Sequence, residues 1–160
     1  FFFEDQCDRL GKFLASLDVH LLTGGGRGTM ECVSKAFYEQ ENRTGLVLGI
    51  IPGETIPDGW AAKSGYPNPY VELAINTHLP LSGKQGDQVL SRNHINVLSS
   101  DVLVFPSGGP GTMSEMSLAI SYSKPFIVWE SIQNEIPDLP VGIRKTRDFE
   151  DVKTFIGLYV

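Results

Sequence analysis

The chain has 160 residues, enough for one domain with a sizeable core. Hydrophobic residues make up 41% and charged residues 20%, the balance of an ordinary soluble globular domain. A net charge of −6 and a pI of about 5.0 argue against a non-specific nucleic-acid binder, whose footprint is basic, and no apolar run reaches the length of a membrane span. An acidic protein that takes an anion must therefore hold it with backbone dipoles and a few placed cations. Cys7 and Cys32 lack metal-ligand spacing and read as reduced thiols of a cytoplasmic protein. His20, His78 and His94 show no metal spacing either.

In chain order, Phe2 to Leu17 places Leu10, Phe13, Leu14 and Leu17 at helical spacing. Val19 to Leu22 is a short strand, followed by a loop of Thr23, Gly24, Gly25, Gly26, Arg27, Gly28 and Thr29. A helix over Met30 to Glu39 turns Val33, Ala36 and Phe37 inward. Leu46 to Ile51 is the clearest buried strand, and Pro52 to Pro69, with four prolines and three glycines, reads as a long irregular excursion. Tyr70 to Ile75 is a further strand, and Leu79 to Gly86 a loop.

Next come a helix over Gln88 to Ser100, a strand at Val102 to Phe105, a turn over Pro106 to Thr112, and a helix over Met113 to Ser123. That last helix sets Met116, Ala119 and Ile120 on its apolar face. Pro125 to Trp129 is another apolar strand. Ile136 to Arg147 is irregular with one short strand near Gly142-Ile143, and Asp148 caps a terminal helix.

Unbroken apolar strands alternating with helices mean a parallel sheet covered on both faces. The chain is thus expected to form an α/β, Rossmann-like, doubly wound parallel sheet as a single domain over 1–160. It opens on a helix, so a first strand is either upstream of Phe1 or dispensed with.

Ligands of such folds bind outside the carboxyl ends of the strands, and both glycine-rich loops lie there. A loop between a strand end and a helix start offers unpaired N–H groups and the positive end of the helix dipole to a phosphate. Gly24 to Met30 is neither the dinucleotide fingerprint nor a Walker loop. Alone it is as well explained by a tight turn; two such loops at one sheet edge favour a shared ligand site.

Arg92 and Asn96 are four apart on one helix face with Asn93 beside them, while Ile95 and Leu98 are expected to enter the core. Arg forks onto phosphate, and an amide both donates and accepts, so the trio suits a phosphorylated heterocycle. In isolation a solvated helix face would be the better reading of it. Glu115 follows Thr112 by three, the spacing of a capping box; it is also placed to aim a carboxylate at a ligand.

Gly24-Gly25-Gly26 with Met30, Arg92 nine residues before Asp101, and the GGxGTxxE run from Gly108 to Glu115 together resemble the lysine-decarboxylase-like, or LONELY GUY, superfamily. The resemblance covers about Leu21 to Trp129. In the enzyme branch it implies a nucleoside 5′-monophosphate phosphoribohydrolase, with Arg92 and Glu115 as the catalytic pair. Two departures matter: Asn93 stands where those enzymes have Lys, and Ser107 where they have Pro.

The run SRNHINVLSSDVLV, with GGPGTMSEMSLAI and the following Lys124-Pro125, is more similar to the molybdenum cofactor carrier proteins of that superfamily. This implies a bound molybdenum cofactor (molybdopterin), a pterin phosphate that is protected and not turned over. Gly24, Gly25, Gly26, Arg27, Gly28, Thr29, Arg92, Asn93, Asn96, Ser107, Gly108, Gly109, Pro110, Gly111, Thr112 and Glu115 would surround it. A homodimer or homotetramer, and molybdoenzymes as recipients of the cofactor, are implied in the same way; a nucleoside monophosphate is the alternative ligand.

Overall fold

The computed structural model describes residues 2–106, 109–131, 139 and 141–160. The elements run α1 (Phe2–Ala15), β1 (Leu21–Thr23), α2 (Thr29–Tyr38), β2 (Val47–Ile51), β3 (Gly53–Ile56), β4 (Gly59–Ala62), β5 (Leu73–Asn76), α3 (Asn93–Ser99), β6 (Leu103–Pro106), α4 (Pro110–Ser121), β7 (Phe126–Trp129), β8 (Lys145–Thr146) and α5 (Phe149–Ile156). A single 3-10 turn, Gly83–Gln85, precedes α3.

The sheet is parallel throughout its two three-stranded parts, β1-β2-β5 and β6-β7-β8. Among the described residues β1 pairs with β2 only, and β6 with β7 only.

Alternation along β7 explains how both faces are covered. Ile127 and Trp129 enter a cluster with Cys7 and Leu10 of α1, Val33 and Phe37 of α2, and Phe149 and Val152 of α5. Val128 points the other way, to Val97 of α3 and Met116 and Ala119 of α4. A strand's two-residue side-chain period is what allows a four-residue strand to serve two cores. This is the doubly wound arrangement expected.

Several local expectations are corrected. The Pro52 to Pro69 excursion holds an antiparallel hairpin, β3–β4, with Gly53 opposite Ala62 and Ile56 opposite Gly59. Trp60 Nε1 donates to the Thr77 carbonyl at 2.8 Å, which ties that hairpin to the end of β5. The strand near Gly142-Ile143 is instead β8, two residues further on, and Ile136 to Asp138 lie outside the described residues. The Gln88 to Ser100 helix is shorter, and Leu98 on it is 51% exposed. Ile120 on α4 is also exposed, although Met116 and Ala119 are buried as expected. Asp148 does cap α5, its Oδ1 accepting from the Glu150 N–H at 2.9 Å.

Helices α1 and α2 touch so closely that Gly11 has no room for a side chain. A Cβ there would lie 2.6 Å from Ala36 Cβ, 2.7 Å from the Val33 carbonyl and 2.8 Å from the Phe37 nitrogen. One turn earlier, Cys7 Sγ lies 4.0 Å from the Thr29 carbonyl, and both cysteines are free thiols. Burial, then the neighbouring Cys32 thiol, push the Cys7 thiol up from its ordinary pKa.

Gly11→Ala sets two effects against each other. Alanine favours a helix by about 1 kcal/mol, whereas overpacking against backbone atoms costs about 1–3 kcal/mol. The variant is expected to be less stable, read as a lower urea midpoint at unchanged slope. A higher midpoint would show that α2 yields freely.

Candidate functional site

The site gathers at the carboxyl ends of β1 and β6, around the guanidinium of Arg92. Arg92 precedes α3 directly and is 3% exposed. Its Nη1 donates to Asn93 Oδ1 and lies 3.6 Å from Glu115 Oε1. Asn96 Nδ2 donates to the same Glu115 oxygen at 3.0 Å. Arg92, Asn93, Asn96 and Glu115 therefore form one connected group, the first three buried and Glu115 half-buried. The helix face they occupy is not solvated: Asn93 is 1% and Asn96 6% exposed.

Two atoms of this group are buried with no hydrogen-bond partner among the described residues, Arg92 Nε and Asn96 Oδ1. A buried polar atom left unpaired costs about 1–3 kcal/mol, so such atoms in a folded protein ask for a partner. One is a donor on a permanent cation, and the other is an acceptor.

Gly24 is the position on which Arg92 rests. A Cβ on Gly24 would fall on Arg92 Cζ and both terminal nitrogens, so the guanidinium lies against bare backbone. The next glycines have different reasons. Gly25 and Gly28 have φ of 71° and 73°, a left-handed conformation that glycine tolerates best. Gly26 is flanked by Met30 Cε and by the Tyr66 ring, at 2.7 and 2.9 Å from where its Cβ would be.

Asn68 orients this loop. It is 1% exposed; its N–H donates to the Gly25 carbonyl at 2.7 Å, and its Nδ2 donates to the Gly26 carbonyl at 2.9 Å. In a trans peptide the N–H points opposite to the carbonyl. Tying down those two carbonyls thus turns the N–H groups of Gly26 and Arg27 away from Asn68. Arg27 itself swings outward to Glu31, at 2.9 Å. Thr29 opens α2.

The second loop is described from Gly109 onward; Ser107 and Gly108 lie outside the described residues. Space around Gly109 is open, with nothing within 4 Å of where a Cβ would be. Helix α4 starts at Pro110 with Gly109 as its N-cap, and no side chain among the described residues caps it. The capping box expected of Thr112 and Glu115 is thus not formed. Thr112 already lies within the helix, one turn too late to cap, and Glu115 is left for Arg92 and Asn96.

Ser114, one position before Glu115, donates to the Gly83 carbonyl at 2.8 Å. Gly86 packs against Asn93 and Ser114, 2.5 Å and 2.8 Å from its notional Cβ. The 3-10 turn therefore seals the α4 side of the site. Lys84 stands exposed in it.

Tyr66, Asn68, Gly83 and Gly86 escape a motif-based reading. Their only signal in the sequence is that long loops with prolines and glycines tend to carry function. Among the described residues no group of His, Cys, Asp and Glu could hold a metal ion.

The model of the SLOG cluster4 family matches residues 3–149. The chain belongs to the SLOG cluster4 family. An uncharacterized protein of Archaeoglobus fulgidus is 31% identical over 116 residues, 72% of this chain and 63% of that protein, so the chain spans less than two thirds of that relative's length. Among solved structures, the X-ray structure of TM1055 is similar at TM-score 0.71 and 27% identity, covering 97% of this chain and 87% of that one.

The molybdenum cofactor carrier protein of Chlamydomonas reinhardtii gives 0.66 and 28%, covering 97% and 88%. The molybdenum cofactor binding protein of the phototrophic bacterium Rippkaea orientalis gives 0.62 and 30%, covering 98% and 75%. The resemblance to the carrier branch of the LONELY GUY superfamily, and its Rossmann-like fold, are borne out.

Gly24→Ala is expected to dislodge the Arg92 guanidinium while leaving the fold intact, since the far end of a side chain moves more readily than backbone. The Arg92 Nε–H resonance should shift, inorganic phosphate should bind more weakly, and stability should fall by only about 1 kcal/mol. Unchanged phosphate affinity would mean that Arg92 does not face the anion.

Proposed function

We propose that this chain binds an intact molybdenum cofactor and protects it as a carrier. The observation that carries this reading is the pair of buried, unpartnered atoms at the strand ends, Arg92 Nε and Asn96 Oδ1. A phosphate oxygen suits the first and a heterocyclic N–H the second, and a pterin phosphate offers both. The two cofactor-binding relatives, each similar over almost the whole chain, favour the pterin.

Arg92, Asn93 and Asn96 would hold it, with Gly24, Gly25, Gly26, Gly109 and Gly111 of the two loops against its phosphate. The cargo brings its own metal and redox chemistry. The chain's part is to bind it, orient it and keep water from it, then release it to a molybdoenzyme.

A second reading has its own observation. Freed from capping, Glu115 lies 3.6 Å from Arg92, the pair implied for phosphoribohydrolase chemistry. In that reading Arg92 grips the nucleotide phosphate, and Glu115 assists departure of the base through an oxocarbenium-like transition state. Asn93 and Ser107, which replace the enzymes' Lys and Pro, weigh against it.

One experiment separates the two. The purified chain is expected to slow decay of the cofactor and to release no free base from AMP, CMP or GMP. Arg92→Ala should weaken cofactor retention roughly ten- to hundredfold, the loss of a charge-assisted hydrogen bond. Release of base that Glu115→Ala abolishes would replace the carrier with the hydrolase.

We read the outer faces of α3 and α4 as the homodimer surface. Met113 and Ile120, two helical turns apart, share one face of α4 at 39% and 44% exposure, and Leu98 on α3 and Tyr122 are exposed as well. Apolar side chains grouped on adjacent helices mark an interaction surface. Sedimentation should give a dimer that Ile120→Glu turns into a monomer; a wild-type monomer would reject this surface.

A further inference from the structure

We propose that Tyr66 is the stacking platform for the flat ring of the ligand, a nitrogen heterocycle carrying a phosphate. The inference rests on the ligand-binding reading above and names the residue that selects the ring.

Tyr66 belongs to neither apolar cluster, so filling the core does not explain it. Its ring stands between the two parts of the site. The Arg92 guanidinium lies 5.9 Å from the ring centroid, and the Cε1 edge is 2.9 Å from the notional Cβ of Gly26. Any side chain at Gly26 would strike it. The ring is half-buried, and its hydroxyl has no hydrogen-bond partner among the described residues.

Its position is fixed from both sides in sequence. The Tyr66 N–H donates to the Lys63 carbonyl at 3.1 Å. Two residues on, Asn68 clamps the carbonyls of Gly25 and Gly26. The segment and the glycine loop therefore move as one body.

A phosphate drawn to Arg92 brings the rest of its molecule into reach of this ring. An aromatic face next to a cation suits a flat heterocycle: the face would stack it, and Asn96, joined to Arg92 through Glu115 Oε1, would read an edge N–H with its unsatisfied Oδ1. Such stacking is tolerant of ring identity, while the edge contact is not.

Calorimetry on the full chain tests this with three probes: inorganic phosphate, a pterin phosphate monoester and AMP. Tyr66→Leu keeps bulk without a π face, and Tyr66→Phe keeps the face without the hydroxyl. Tyr66→Leu should weaken whichever ring-bearing probe the wild type prefers by about tenfold and leave inorganic phosphate unchanged; Tyr66→Phe should bind like wild type. If Tyr66 merely covers Arg92, Tyr66→Leu weakens phosphate and ring-bearing probes alike, and the platform is rejected. It is also rejected if the wild type takes neither ring more tightly than phosphate. Preference for AMP over the pterin overturns the carrier reading alone, because Tyr66→Leu then tests the platform on AMP.

Discussion

A buried guanidinium lying on bare glycine backbone is the constraint around which this protein is arranged. Arg92 is permanently charged and 3% exposed, and such a group is tolerated in an interior only with an opposite charge and hydrogen bonds around it. Glu115 supplies the charge and Asn93 a hydrogen bond. Buried ion pairs contribute little to stability, since desolvation consumes most of their attraction. Hydrophobic residues could fill the same volume without that cost. The arrangement makes sense if the guanidinium is held for something it binds, and its unpaired Nε points the same way.

The rest of the fold follows from holding that group in place. Gly24 must lack a side chain because Arg92 lies on it, and Gly86 because Asn93 and Ser114 press on it. Helix α4 must begin at Pro110 for Glu115, more than a turn later, to meet Asn96. The β7 strand anchors both helix layers through alternating side chains, which fixes α3 and α4 on one face and α1, α2 and α5 on the other. The glycine-rich loop needs an outside clamp, because glycine leaves the chain many conformations. Asn68 provides it from a different part of the chain, reached by way of the β3–β4 hairpin.

The fold was largely legible because its strands are unbroken apolar runs and its helices have clear periodicity. Val47–Ile51 and Phe126–Trp129 fall inside the stretches that composition marks, and Val33, Ala36 and Phe37 face inward as spacing indicates. Three things were not legible, each for a physical reason. Thr112 and Glu115 satisfy the capping pattern, but Pro110 with its preset φ is itself a strong first residue and starts the helix earlier. Leu98 and Ile120 have the composition of core positions, and periodicity cannot tell a helix face that meets its own core from one left outside. Tyr66 and Asn68 lie in a segment rich in prolines and glycines, where spacing carries no register, so only the folded hairpin reveals that they return to Gly25 and Gly26.

Whether such a site holds its ligand or cuts it turns on the hydrogen bonds of Glu115. One oxygen, Oε1, serves both Asn96 and Arg92, and in doing so it aligns the amide and the guanidinium. Used in this way the carboxylate is a positioning group, and Asn93 next to Arg92 adds a neutral amide instead of a second cation. A second cation would strengthen the grip on a phosphate and help stabilise a departing sugar phosphate; an amide offers directional hydrogen bonds to a heterocycle. In the carrier reading proposed above, the local balance of charge, one guanidinium set against one carboxylate with amides on either side, would serve recognition of an intact molecule.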